Sequence, residues 1–243
     1  MTLEQRLERA TQLARDAGER MVQAREEQGF AHHYKKGDEL VTDIDVAIDT
    51  FLAEALETEF PEDARLTEEL SPERDVIGTK GGLWVIDPID GTANFVAGIP
   101  AWCVILACVH EDQTKIAAIH EPSHDELFWG AAGQGAYMNE TRLAVSQTTG
   151  LDVGNTGVGM NGRTATEHAV RLVSLLVDRG GLFYRNASGG LMLSYVAAGR
   201  LIGYVEPHMN AWDCLAGQLL IAEAGGRVEQ QSANQMLADG GRV

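Results

Sequence analysis

Apolar residues recur three, four and seven positions apart through residues 3–27, at Leu3, Leu7, Leu13, Ala14, Ala17 and Met21, with charged residues between them. That period predicts one amphipathic helix packed on a sheet face. Residues 30–40 are polar, and Lys35-Lys36-Gly37-Asp38 reads as a loop or hairpin tip. A second helix is expected after Val41-Thr42-Asp43-Ile44-Asp45, with Val46, Ile48 or Asp49, Phe51, Leu52, Ala55 and Leu56 carrying it to about Phe60, where Pro61 stops it. Residues 64–70 predict a short strand that ends in the pair Glu68-Glu69. Ser71-Pro72 then opens a loop that runs to Gly81-Gly82.

The run Leu83 to Ile86 has the length and residue types of a buried strand. Asp87 is expected to end it, because Pro88 has no N–H and a fixed φ. Asp90-Gly91-Thr92 follows as a turn opening into a short helix through Asn94 and Phe95. Cys103 to His110 and Lys115 to Glu121 read as strands around a turn at Glu111-Asp112. Leu127-Phe128-Trp129 and Gly135 to Asn139 continue as a meander, and strands this close together need antiparallel pairing. Beyond Gly150 the pattern alternates: strand 152–159, helix 164–179, strand 182–185, helix 188–198 ended by Gly199, strand 201–206, and helix 212–224 capped by Gly225-Gly226. The pattern is that of a layered α/β chain. Residues 1–145 form an α+β half that carries the acidic motifs, and residues 146–243 form an α/β half that closes on it within one compact unit.

Composition narrows the classes. With 243 residues, 44% hydrophobic and 23% charged, the chain has the make-up of an ordinary globular protein with a substantial core. No apolar run reaches about 18 residues, so no membrane helix is expected, and the polar stretch Met1 to Met21 does not have the form of a secretory signal. Cytoplasm is the expected setting. Cys103, Cys108 and Cys214 form no C-x-x-C pair and are expected as buried small hydrophobes. A net charge of −17, from 36 acidic and 19 basic residues, argues against nucleic-acid binding. If the substrate is a phosphate, that charge must be masked by cations.

The acids are not scattered. Asp87 and Asp90, three apart around a proline, are able to converge on one point, with the N–H groups of Gly91 and Thr92 close behind. Hard divalent cations take such oxygen ligands, and a helix N-terminus receives an anion. The residues also have bland readings: Asp-Pro and Asp-Gly make tight turns, and Asp43, Asp45 and Asp213 stand where helix caps stand. Paired glutamates and an exposed Lys36 are ordinary surface. What counts against those readings jointly is position, because Asp45, Glu68, Asp87, Asp90 and Asp213 all fall at strand ends or helix starts, where the loops of a layered fold gather.

Asp87-Pro88-Ile89-Asp90-Gly91-Thr92-Ala93-Asn94-Phe95, Trp212-Asp213-Cys214-Leu215-Ala216-Gly217 and Glu223-Ala224-Gly225-Gly226 resemble the motifs of the inositol monophosphatase family, supported by Glu68-Glu69 and Leu40-Val41-Thr42-Asp43-Ile44-Asp45. The match runs from about residue 5 to 230 in the family's order. The resemblance implies a layered α-β-α-β-α sandwich of the sugar-phosphatase type with mixed sheets, a homodimer, and a lithium-sensitive hydrolysis of a small phosphate monoester with two or three Mg²⁺ ions. It implies Glu68, Asp87 and the carbonyl of Ile89 at a first metal, and Asp87, Asp90 and Asp213 at a second. Asp45, Thr92 and Glu68 would be catalytic, with Asp45 and Thr92 orienting the attacking water. Gly91 and Thr92 would donate to the phosphate, Asp90, Asp213 and Glu206 would bind substrate, and Lys36 would lie near the phosphate.

The chain departs from the family at Thr67, where glycine usually precedes the glutamate pair, and at Ala187-Ser188-Gly189-Gly190, in place of Gly-Ser-Ala-Ala beside the substrate. The loop Pro207 to Ala211 carries His208, placed either on the substrate or in solvent. The family would also normally add a strand and a terminal helix at the end of the chain. Inositol 1-phosphate leads the substrates, with fructose 1,6-bisphosphate, histidinol phosphate and 3′-phosphoadenosine nucleotides as rivals. A nucleotide would want an aromatic platform, and Trp102 and Trp212 are the aromatics placed nearby. A different class, a non-catalytic metal- or phosphate-binding regulator, predicts loss of a metal carboxylate or of the threonine, and Glu68, Asp87, Asp90, Thr92 and Asp213 are all present. An acidic interaction module would explain the charge but not the motifs.

Overall fold

The computed structural model describes residues 2–27, 30–34, 40–70, 81–162, 164–229 and 231–243. Helix α1 (Leu3–Glu26) opens on a capping box. The Thr2 hydroxyl accepts from the Gln5 N–H at 3.2 Å, and the Gln5 side chain accepts from the Thr2 N–H at 3.0 Å. Its buried stripe is Leu7, Ala10, Leu13, Ala14, Ala17, Gly18 and Met21. Strands β1 (His32–Tyr34) and β2 (Leu40–Thr42) pair antiparallel, and Lys36, on the predicted tip between them, lies outside the described residues.

Helix α2 (Asp43–Glu59) is capped by Thr42, so neither Asp43 nor Asp45 is the cap that the sequence suggested. The Thr42 hydroxyl accepts from the N–H groups of Ile44 and Asp45, and the Asp45 carboxylate returns a bond to the Thr42 N–H. Threonine can do this because its backbone there is extended, while Asp45 is already helical.

Strands β3 (Ala64–Thr67) and β4 (Leu83–Asp90) are parallel neighbours. The expected end of β4 at Asp87 is corrected: pairing with the next strand shifts register between Asp87 and Asp90 and resumes at Asp90. Pro88 lacks a donor, and the bulge passes it without a ladder bond. Helix α3 (Thr92–Ala97) follows. Then β5 (Cys103–His110), β6 (Gln113–Glu121), β7 (Glu126–Ala131), β8 (Gly135–Met138) and β9 (Thr141–Arg142) complete a sheet of order β3-β4-β5-β6-β7-β8-β9, antiparallel from β4 onward. β6 starts earlier than expected because Glu111 and Asp112, at φ 51° and 60°, make a two-residue turn that pairs His110 with Gln113.

The later chain gives β10 (Asn155–Val158), α4 (Thr166–Val177), β11 (Leu182–Tyr184), α5 (Gly189–Ala197), β12 (Gly203–Val205), α6 (Ala211–Glu223) and α7 (Ala233–Asp239). β10 is shorter than predicted because Leu151–Val153 is a 3₁₀ turn. α7 was not anticipated. Ser232 caps it, and it buries Ala233, Met236 and Leu237. β10, β11 and β12 form a parallel sheet of order β11-β10-β12.

Alternation along the central strands explains why their sequences read as unbroken apolar runs. Trp84, Ile86, Val104, Leu106 and Cys108 face α1 and α2, whereas Leu83, Val85, Cys103, Ile105 and Ala107 face α5 and α6. α5 touches the large sheet and β12, and α4 packs on β11, which completes the α-β-α-β-α layering. All three cysteines are buried and free, as expected. Among the described residues no helix is long and apolar enough to cross a membrane.

Gly217 lets α6 close on α5, since a Cβ there would stand 2.4 Å from the Leu193 Cβ. It sits one turn after Asp213, so this contact sets where that carboxylate lies. Gly217→Ala gains about 1 kcal/mol of helix propensity but meets an overpacking cost of about 1–3 kcal/mol. A net loss of stability is expected on urea unfolding, and an unchanged midpoint would show that the two helices separate freely.

Candidate active site

The bulge in β4 delivers Asp87, Ile89 and Asp90 to one end of the large sheet. Gly91 turns the chain at φ 96°, in the left-handed region, where a Cβ would also lie 2.9 Å from the Ala101 carbonyl. Thr92 is the first residue of α3. Its hydroxyl stands 3.0 Å from the Ile89 carbonyl and 3.1 Å from Asp45 Oδ1. Asp45 is 1% exposed, and its Oδ2 is already held by the Thr42 N–H at 2.7 Å and the Thr42 hydroxyl at 2.5 Å. One oxygen is therefore fixed by the helix start and the other meets Thr92. Burial pushes Asp45 up to about 6, against the lowering effect of the Thr42 bonds.

Asp90 is gripped from across the fold. Its Oδ2 accepts from the Ser188 hydroxyl at 2.6 Å and the Gly190 N–H at 2.7 Å, and its Oδ1 accepts from the Gly189 N–H at 3.2 Å. These donors are the cap and first turn of α5, and a Cβ on Gly190 would stand 2.5 Å from the Ile105 Cδ1. The Cys103 thiol lies 3.6 Å from the same carboxylate. The Ala187-Ser188-Gly189-Gly190 departure thus holds a carboxylate in place. Its signal in the sequence was a serine cap followed by two glycines.

Asp213 is the third residue of α6 and not its N-cap residue. Asn210 is the cap, and Asp213 Oδ2 accepts from the Asn210 N–H at 2.9 Å. Asp87, Glu68, Asp90 and Asp213 are close enough to act on one another. Asp87 is driven well above the usual carboxylate range by burial first and then by Glu68, Asp90 and Asp213, and it has hydrogen bonds with Glu68 and with Asp213. Burial and then Asp90 push Asp213 up to about 7. Among the described residues no three acidic, imidazole or thiol groups already stand as a metal cage. Burial and the neighbouring carboxylates favour the protonated form of Asp87 and Asp213. The donor set nevertheless fits a hard divalent ion, because every donor is oxygen and Asp87 Oδ1 is buried with no hydrogen-bond partner among the described residues.

Glu206 follows β12 and is 7% exposed. Asn161 donates to its Oε1 at 3.1 Å, and the Tyr204 hydroxyl donates to its Oε2. Gly159 makes room for this pair, since a Cβ there would fall 2.2 Å from Oε2. Burial raises Glu206, and the nearby Asp90 adds to the rise. Neither Gly159 nor Asn161 carries a local signature.

His208 is partly exposed, and its Nε2 lies 3.0 Å from the Asp239 carbonyl, at the end of α7. Trp102 and Trp212 are buried, at 2% and 9% exposure, and Trp102 packs edge-on against Phe95 at 5.0 Å. They offer no face for a base to stack on. Of the predicted site residues, Asp45, Glu68, Asp87, Ile89, Asp90, Gly91, Thr92, Glu206 and Asp213 gather at this end of the sheets, and Lys36 lies outside the described residues.

Residues 2–242 match the family model described as the inositol monophosphatase family. The Nus factor SuhB of Escherichia coli is 34% identical over 223 residues, spanning 90% of this chain and 82% of its own. Among solved structures, the Thermotoga maritima IMPase superposes with TM-score 0.81 at 29% identity, covering 91% of this chain and 84% of that one. The inositol monophosphatase of Anabaena (Nostoc) gives TM-score 0.77 at 31% identity, covering 93% and 84%.

Asp45 and Asp213 titrate higher in the folded chain than when unfolded, so the folded state holds the extra protons. Their contribution to stability is full below about pH 4 and is lost as pH rises through about 6 to 7. With metal ions chelated, the melting temperature is expected to fall between pH 5 and pH 8, and Asp213→Asn is expected to flatten that fall. An equal slope in wild type and variant would remove Asp213 from the effect.

Proposed function

The chain belongs to the inositol monophosphatase family, and from that premise we propose that it hydrolyses a small phosphate monoester in a Mg²⁺-dependent reaction, with inositol 1-phosphate as the first candidate substrate. The observation that carries this reading is the gathering of Glu68, Asp87, Asp90 and Asp213 around a buried Asp87 oxygen with no partner among the described residues, beside a hydroxyl–carboxylate pair. Glu68, Asp87 and the Ile89 carbonyl would hold one cation, and Asp87, Asp90 and Asp213 a second, within a total of two or three Mg²⁺. Such ions lower the pKa of water and offset the charge on phosphoryl oxygens.

The chain's own groups then position. The Thr92 hydroxyl donates a hydrogen bond to Asp45, which leaves an oxygen lone pair to accept from the attacking water and aim it in line. Glu68 would sit beside that water. The first N–H groups of α3, at Gly91 and Thr92, have no partner within the helix and would receive the phosphate. Glu206, held by Tyr204 and Asn161, would accept from a hydroxyl of the substrate, while Asp90 and Asp213 would line its other side. Lys36 is proposed near the phosphate.

The reading includes a homodimer and a cytoplasmic setting. Exposed Leu182 and Phe183 on β11 offer apolar surface for a second copy. The name of the Anabaena relative supports inositol phosphate as substrate. Fructose 1,6-bisphosphate and histidinol phosphate remain in the class, and the burial of Trp102 and Trp212 speaks against a nucleotide. The relatives named Nus factor favour a second reading, a regulator built on this fold.

Phosphate release from inositol 1-phosphate, fructose 1,6-bisphosphate, histidinol phosphate and 3′-phosphoadenosine 5′-phosphate, with and without Mg²⁺, tests the first reading against the second. One substrate is expected to dominate, and only with metal; silence across the panel supports the regulator. Asp90→Asn is expected to lower turnover by about 100-fold or more while leaving the fold intact, and near-normal turnover would remove Asp90 from the reaction. Mg²⁺ at a hundred times its dissociation constant should stabilise the native chain by about 2.7 kcal/mol, read as a rise in melting temperature.

A further inference from the structure

We propose that Asp49 is a positioning residue for Glu68, holding the turn after β3 so that the Glu68 carboxylate meets Asp87; this rests on the reading of Glu68 as a metal ligand. Asp49 lies four residues after Asp45 in α2, on the same face and about 6 Å further along the axis. Asp45 reaches Thr92 from one turn of the helix. From the next turn, Asp49 Oδ2 accepts from the N–H groups of Glu69 and Leu70, both at 3.0 Å.

The Thr67 hydroxyl bonds to the Asp49 side chain and also accepts from the Leu70 N–H at 3.3 Å. Thr67 is the position where the family resemblance led us to expect glycine, and here its hydroxyl closes the turn. On the other side, the Glu68 N–H donates to the Ile86 carbonyl at 3.2 Å, one residue before Asp87 in the chain. Glu68 is therefore held from the strand by Ile86 and from the helix by Asp49.

The cost of this arrangement argues for its purpose. Asp49 is fully buried, its partners among the described residues are two N–H groups and a hydroxyl rather than a basic side chain, and its Oδ1 has no hydrogen-bond partner among them. A buried carboxylate so served is costly compared with an apolar residue of similar volume. What it supplies is geometry: it spans α2 and the glutamate turn, and ties the Glu68 side of the site to the same rigid helix that fixes the Asp45–Thr92 pair. Groups that orient metal ligands typically change affinity by about 10–100-fold when removed.

Titration calorimetry with Mg²⁺ alone, on the full chain, tests the assignment without any turnover. Wild type comes first: if it takes up no Mg²⁺, the metal reading itself fails, whatever Asp49 does. Where wild type binds, Asp49→Ala is expected to weaken Mg²⁺ about 10-fold or more, while Asp49→Asn, whose amide oxygen accepts from the same two N–H groups, stays within about threefold of wild type. Should Asp49→Ala fail to fold, Thr67→Ala, which removes the hydroxyl but keeps the carboxylate, is expected to weaken Mg²⁺ by a smaller but measurable factor. Wild-type affinity in folded Asp49→Ala or in Thr67→Ala, or an Asp49→Asn as weak as Asp49→Ala, overturns the proposal.

Discussion

Mutual repulsion among carboxyl groups that share a buried strand end is the constraint around which this fold is built. Glu68, Asp87, Asp90 and Asp213 come from three separate stretches of the chain and act on one another across a space with little water. Burial first, and then like charges that close, keep them from all ionising unaided, and the upward shifts of Asp87 and Asp213 express both. Three of the four have anchors of their own. Asp90 has the first turn of α5, Asp213 has the Asn210 N–H, and Glu68 has the turn tied to Asp49. The site is a set of acids brought from separate stretches of the chain to a common point.

The anchors are mostly helix starts. Asp45 and Asp213 are both third residues of capping boxes, so the exchange of bonds that begins each helix also fixes one carboxylate oxygen and leaves the other for a partner across the site. A cap and a functional acid are then one residue with two faces. The opposition between a capping role and a chemical role, natural from the sequence alone, dissolves once the second oxygen is followed to its partner.

The layers supply the rigidity this needs. Both faces of the large sheet are covered, one by α1 and α2 and the other by α5 and α6, so its central strands have no freedom to slip. The bulge at Pro88 is the single break in that regularity among the pairs of β4 with β5, and it lies between the two aspartates. A flat strand would send Asp87 and Asp90 to opposite faces. The irregularity brings them to one end together.

Much of this was legible along the chain. The period of apolar residues placed α1, α2, α4, α5 and α6 to within two or three residues, because helix and strand periods follow from local backbone sterics and from which face is buried. Asp87-Pro88-Ile89-Asp90-Gly91-Thr92 marked the strand end, because proline and glycine act on their own φ. Tertiary structure alone decided that the strand runs on through the bulge, that Ser188 and Gly190 close on Asp90, that Asp49 serves the glutamate turn, that His208 meets the end of α7, and that the two tryptophans are buried. Those facts depend on contacts between residues as far as 100 positions apart, set by register and packing, to which no local pattern of residue types responds. The sequence by itself determined which acids stand at element ends; only the folded chain decided which of them meet.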